Sequence, residues 1–139
     1  MESFTDRTYL GKWNTAANEE DLDIVADTKR RMGDKPVIVS VSLKNPMVMA
    51  EIEPMADALL VDYGVSAKAV LDVVTGKFNP YGLLPLQLPL NMETVEQQKE
   101  DVAFDMTCYK DSEAHVYEFG YGMDFNGVIS DSRTKKYSR

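Results

Sequence analysis

Apolar residues after Asn18 recur at helical spacing: Leu22, Val25, Ala26 and Met32. Glu19, Glu20 and Asp21 would occupy the first turn, where acids complement the positive helix end, and Lys29, Arg30 and Arg31 the last. Asn18 is the expected N-cap and Gly33 the stop. Pro36 then opens the run from Val37 to Leu43, β-branched and nearly all apolar at its start. That pattern predicts a strand buried on both faces of a parallel sheet. Asn45-Pro46 signals a turn, with a short helix from Pro46 through Met47, Val48 and Ile52, ended by Pro54. Ala58 to Val61 reads as a second short buried strand. Ser66 then caps an amphipathic helix bearing Ala67, Val70, Leu71 and Val74, closed by Gly76.

The pattern changes after Gly76. Asn79-Pro80-Tyr81-Gly82 is a strong turn, and Leu83 to Leu90 carries Pro85 and Pro89, so it is extended without being a central strand. Thr94-x-x-Gln97 suggests a capping box for a short helix. Val102–Met106 and Ala114–Tyr117 are expected as late, edge or antiparallel strands. Gly120-Tyr121-Gly122 permits close backbone placement. Residues 1–18 read as a loop-rich lead-in with Trp13 as a packing anchor, and residues 130–139 as a polar tail. Alternating helix and strand over 18–76 implies an α/β fold, a mostly parallel sheet flanked by helices.

Length narrows the choice. The 139 residues suit one domain, whereas a (β/α)8 barrel needs roughly 200 or more. With 44% hydrophobic and 27% charged residues, the composition is globular. Fifteen basic against 23 acidic residues leave a net charge of −8, which disfavours a nucleic-acid partner. The basic run near Arg133, Lys135, Lys136 and Arg139 reads as a solvated terminus. No apolar run reaches membrane-spanning length and the first 30 residues lack a secretory pattern, so no membrane partner is expected. With a single cysteine, these features favour a cytoplasmic location.

Candidate chemistry is sparse. Cys108 and His115 are the only cysteine and histidine, too few for a structural zinc site, and no third group completes a Cys–His nucleophile. The simpler readings are a buried thiol and a surface imidazole. No phosphate loop, dinucleotide fingerprint or nucleophile elbow is present. Neither a metal nor a cofactor is expected. The acids at Glu19, Glu20, Asp21 and Asp23 read as a solvated helix start.

Two linked motifs carry more information. One runs Gly76-Lys77-Phe78-Asn79-Pro80-Tyr81-Gly82-Leu83-Leu84-Pro85, just after Ala69-Val70-Leu71-Asp72-Val73-Val74. The other is Tyr117-Glu118-Phe119-Gly120-Tyr121-Gly122-Met123-Asp124-Phe125. In order and separation they resemble the C-terminal α/β-sandwich domain of glycoside hydrolase family 3, the β-glucosidase and β-xylosidase family. That family reads A-x-x-D-V-L-x-G, then G-x-x-N-P-x-G-x-L-P, then Y-x-F-G-Y-G-L-x-Y. Lys35-Pro36 and the following strand resemble the family's K-P-V-V-V-V. The resemblance covers roughly residues 6–129. Leu83 and Tyr81 replace a frequent basic residue and a frequent Ser, and Tyr63 to Ala67 lacks the usual P-G-x-E-G-G.

The resemblance implies a three-layer, flavodoxin-like sandwich, with residues 1–129 forming part of that domain. It also implies retaining hydrolysis of β-linked sugars by two carboxyl groups roughly 5–5.5 Å apart. In the family the nucleophilic Asp lies in a separate N-terminal barrel, whose S-D-W-type motif is not found here. The acid/base Glu precedes an Asp-Arg pair in many members. Asp6-Arg7 matches that pair, with both as candidate sugar contacts, and Glu2 is the candidate acid/base, one residue farther away than in the pattern. The expected role is a domain that forms one wall of the site for a β-linked oligosaccharide or glycoside, has the N-terminal barrel as partner, and is inactive alone. Uncovered sheet or helix faces would favour a homodimer. A free-standing flavodoxin-like binding module is the alternative.

Overall fold

The computed structural model describes residues 7–9, 12–14, 19–99 and 101–137. Two short strands, β1 (Arg7–Tyr9) and β2 (Lys12–Asn14), pair antiparallel, with Thr8 opposite Trp13. The expected loop-rich lead-in therefore contains a small ribbon. Helix α1 (Glu19–Met32) follows as the spacing predicts, while its proposed cap, Asn18, lies outside the described residues. Gly33 ends the helix with φ +57° and its amide bonded to the Lys29 carbonyl, the left-handed stop that glycine adopts most readily. Leu22 and Val25 face the core, whereas Met32 is exposed.

Strands β3 (Ile38–Ser42) and β4 (Ala58–Asp62) pair in parallel, from Ile38 opposite Ala58 to Ser42 opposite Asp62. Helix α1 precedes this pair and α2 (Ala67–Val74) follows it, giving the α/β arrangement that the alternation implies. Burial of β3 differs from the expectation. Val39 and Val41 are buried, but Ile38, Ser40 and Ser42 are exposed. The two serines mark the reason: this strand is two-sided, with apolar residues on the core face only.

The segment after β3 also differs. Met47, Val48 and Met49 are buried without forming a helix, and Pro54 sits inside a 3-10 turn (Glu53–Met55) instead of ending a helix. These methionines fill the core as an irregular strap, a role that their flexible side chains suit. They pack with Val37, Val39, Val41, Leu43, Ile52, Leu88 and Tyr109. Asp57 fastens one edge of this core: its carboxylate accepts from Lys29 Nζ at 2.5 Å and from the Val37 amide at 2.7 Å.

Helix α2 starts as the sequence suggests, with Ser66 Oγ accepting from the Ala69 amide at 3.3 Å. Its apolar stripe is only partly covered, because Leu71 and Val74 are exposed. Helix α3 (Met92–Gln97) begins earlier than Thr94. Asn91 is its N-cap and Thr94 the third helical residue, the two forming a reciprocal capping box. The Thr-x-x-Gln pattern located the helix but misplaced its start by one turn.

No strand forms over Val102–Met106 or Ala114–Tyr117. Single bridges join Pro89 to Cys108 and Lys110 to Val116 instead. The Leu88 amide donates to the Tyr117 carbonyl at 3.0 Å, and its carbonyl accepts from the Tyr109 amide at 2.9 Å. The Tyr117 amide in turn donates to the Tyr109 carbonyl at 2.9 Å. Late antiparallel pairing does occur farther on, between β5 (Met123–Asp124) and β6 (Gly127–Val128). The polar terminal segment contains α4 (Ser132–Tyr137) and is anchored: Arg133 donates to both the Asp131 carboxylate and the Tyr81 carbonyl.

Candidate functional site

Open α/β sheets place ligands beyond the carboxyl ends of their parallel strands. Here that edge is formed by Ser42 and Asp62. Asp62 Oδ1 accepts from the Gly64 amide at 2.8 Å, the Val65 amide at 3.2 Å and Ser42 Oγ at 3.0 Å. The Gly64 amide leads in holding this carboxyl below its usual range, against the opposing pull of desolvation. Gly64 has φ +99°, so glycine relieves the turn that brings its amide inward. Tyr63 is half-exposed beside it, its phenol pushed up by burial. Asp62 is thus an ionised acceptor that shapes the β4–α2 loop. The expected strand stops at Val61, one residue short of it; Asp followed two positions later by Gly is the Asx-turn pattern that marks it.

A second cluster lies on the bridged C-terminal segments. Asp111 Oδ1 accepts from the amides of Glu113 and His115 at 3.0 and 2.8 Å, and Oδ2 lies 3.0 Å from His115 Nδ1. Burial pushes the Asp111 carboxyl up, but the bonds from His115 and Glu113 outweigh it and the net displacement is downward. Those bonds also hold the turn that places Ala114 at φ +72°, a strained conformation for an alanine. The His115 ring faces Tyr121 at 6.0 Å between centroids, Tyr121 faces Tyr117 at 5.2 Å, and Tyr117 faces Tyr109 at 5.4 Å. Tyr109 donates its hydroxyl to Glu53 at 2.8 Å. Burial comes first in raising Tyr109 and Tyr121 to about 12, and it pushes Tyr117 up as well. These phenols are proton-retaining hydrogen-bond donors at neutral pH.

The two residues considered for nucleophilic chemistry have separate partners. Cys108 is buried, with Gln87 Nε2 3.3 Å and the Met106 carbonyl 3.8 Å from its sulfur. His115 is half-buried and committed to Asp111, so it is not the surface imidazole that the sequence suggested. Among the described residues, no group of three or more His, Cys, Asp or Glu side chains is placed to hold a metal ion. No helix is long and apolar enough to cross a membrane among the described residues.

Among the described residues, the carboxyls with displaced pKa are Asp57, Asp62, Asp111, Asp124 and Asp131, and every one moves down. A glycosidase acid/base needs the opposite displacement. Glu2 and Asp6 lie outside the described residues. Arg7 opens β1 opposite Asn14, and its side chain lies outside them too.

The two motifs singled out in the sequence meet. Asn79 Oδ1 accepts from the Phe125 amide at 2.9 Å, and Asn79 Nδ2 lies 3.4 Å from Asp124 Oδ2. The Leu84 amide donates to the Tyr121 carbonyl at 2.7 Å, and the Gly120 amide donates to the Leu84 carbonyl at 2.8 Å. Gly122 lies so close to Gly82 that a β-carbon there would collide with the Gly82 carbonyl oxygen and lie 3.0 Å from Leu83 Cδ2. The asparagine and glycines of the motifs thus dock one loop on the other.

Comparison with known proteins agrees with this reading. β-Glucosidase C of Emericella nidulans is 40% identical over 90 residues, covering 65% of this chain and 14% of the relative. A probable β-glucosidase C of Aspergillus oryzae is 39% identical over 100 residues, covering 72% and 15%. A periplasmic β-glucosidase/β-xylosidase of Dickeya chrysanthemi is 26% identical over 88 residues, covering 63% and 12%. The chain therefore spans only 12–15% of the length of these curated relatives. No solved structure matches it. The profile described as glycosyl hydrolase family 3 C-terminal domain matches residues 6–125, which includes both docked motifs, and the chain belongs to that family.

Proposed function

We propose that this chain is the C-terminal sandwich part of a β-glucosidase-type hydrolase and shapes one wall of a site for β-linked sugars. The observation that carries the reading is the family match over residues 6–125, in relatives of which the chain spans 12–15%. Two further points support it. The displaced carboxyls favour ionised acceptors, suited to binding sugar hydroxyls but not to donating a proton to a leaving group. The family's nucleophile belongs to a barrel, and a retaining reaction needs both carboxyls in one site. Within this proposal Glu2 is the acid/base, Asp6 and Arg7 contact sugar, and the barrel supplies the nucleophile. Exposed Ile38 on β3 and Leu71 on α2 favour self-association of the chain when it is alone.

The test is hydrolysis of aryl β-glucosides and β-xylosides by the chain alone and by the chain co-expressed with the barrel segment of a close relative. No turnover alone and turnover in combination are expected, with loss of the combined activity in Glu2→Gln. Turnover by the chain alone, persisting through purification to homogeneity, overturns the proposal.

A further inference from the structure

The docked motif loops present partly exposed aromatic rings to solvent. Phe78 is 48% exposed, Tyr81 63% and Phe125 57%. The Phe78 and Tyr81 rings lie 5.7 Å apart at an interplanar angle of 54°. We propose that Phe78 and Tyr81, with Phe125 on the loop that Asn79 holds, form a stacking surface for a β-linked gluco-oligosaccharide. The choice of sugar rests on the β-glucoside reading above.

Three features support the assignment. The backbone carrying the rings is held from several sides. Asn79 binds the Phe125 amide, Arg133 binds the Tyr81 carbonyl, and the Phe78 amide donates to the Asp72 carbonyl at 3.0 Å. A backbone held before binding loses little freedom on binding, which favours a weakly attracted ligand. Aromatic side chains also combine a broad apolar face with, in tyrosine, a hydrogen-bonding edge. A β-glucopyranosyl unit has equatorial hydroxyls and axial C–H groups, so each of its faces is apolar and its rim polar. Finally, the rings alternate along the chain with exposed Lys77, Asn79 and Asn126. A protein interface of ordinary size needs about 800 Å² per partner around an apolar centre depleted of charge. A few rings interleaved with polar groups suit a polyol better.

The test uses the full chain and cellotetraose, read by saturation-transfer NMR and an amide shift map. Saturation is expected to reach the axial sugar protons, with shifts concentrated at residues 77–82 and 124–126. The double variant F78A/Y81A should bind about tenfold more weakly or worse. Tyr81→Phe, which keeps the ring, and Leu71→Ala, on α2, should bind within about twofold of the parent. Absence of transfer at about 10 mM sugar, shifts centred elsewhere, or unchanged affinity in the double variant overturns the proposal. A double variant that becomes monomeric without any change in sugar affinity does so too, and assigns the rings to a protein contact. If the double variant does not fold, the shift map of the parent chain decides. Hydrolysis is not read, so failure here is distinct from failure of the catalytic reading.

Discussion

Asn79 and Phe125 stand 46 positions apart in sequence, and the Phe125 amide donates to the Asn79 side chain at 2.9 Å. One asparagine thereby holds the turn after α2 against the β5–β6 hairpin, since its amide nitrogen also reaches Asp124. The hairpin lacks any long ladder of its own, with only two residue pairs in register. The cross-motif bond takes over part of the work that a ladder would do.

Asn79→Ala removes both contacts. Because the site is exposed, water replaces part of what is lost, and the cost is about 1–2 kcal/mol. The urea midpoint should fall with an unchanged slope, and the amide of Phe125 should exchange faster with solvent.

Gly122→Ala is expected to cost more than Gly82→Ala, although the two glycines touch. A β-carbon at 122 meets the Gly82 carbonyl, which is backbone and yields only by separating the loops. One at 82 meets nothing within 4 Å. The expected difference is about 2 kcal/mol, the scale of overpacking at a rigid contact, and paired denaturation curves measure it.

Much of this was legible in the sequence where local rules agree with packing. Ser66 and Gly76 bracket α2 through a cap and a left-handed stop, both governed by residues within one turn. The motif pair pointed to the family because its asparagine and glycines answer to a single long-range contact. Other features depended on neighbours that no local pattern specifies. In the Val37–Leu43 run, Ser40 and Ser42 hint at an open face, but Ile38 shares that face and no local pattern shows that it is left exposed. Met47 and Met49 carry no period that separates a helix from a buried strap. Of the site, Asp62 and Asp111 hold turns by accepting nearby amides, a chemistry that Asp-x-Gly and Asp-x-Glu spacing hints at without fixing burial or partners.

Asp111 should make stability sensitive to acid. Its native carboxyl titrates below the ordinary 3.8, so the unfolded chain binds the proton first. The stabilisation is present above the unfolded value and drains away as pH falls through about 5 and on toward the native value. Asp111→Asn should therefore be less stable than the parent at pH 7, with the gap narrowing by pH 3. A gap that stays constant with pH would show that the charge contributes nothing.

The tyrosine cluster should do the reverse in alkali. Tyr109 and Tyr121 ionise near 12 in the folded chain against an ordinary 10.0, burial being the first cause, and Tyr117 is raised as well. Folded states with raised phenols lose stability as pH climbs from about 10 towards 12. The phenolate absorbance of the native chain should lag behind that of the urea-unfolded chain by about four tyrosines, since burial raises Tyr63 as well, and replacing Tyr117 with Phe should shorten the lag.

Leu88 passes its amide to Tyr117 and its carbonyl to Tyr109, while those two tyrosines are bonded to each other. Three strands of chain are thus tied at a knot of single bonds, with the wholly buried Leu88 side chain driven into the core beneath it. A zipper can open one tooth at a time from either end, but a knot has no end from which to start. Withdrawing Leu88 from the core is therefore expected to loosen all three links together, where fraying at any one of them leaves the other two in place.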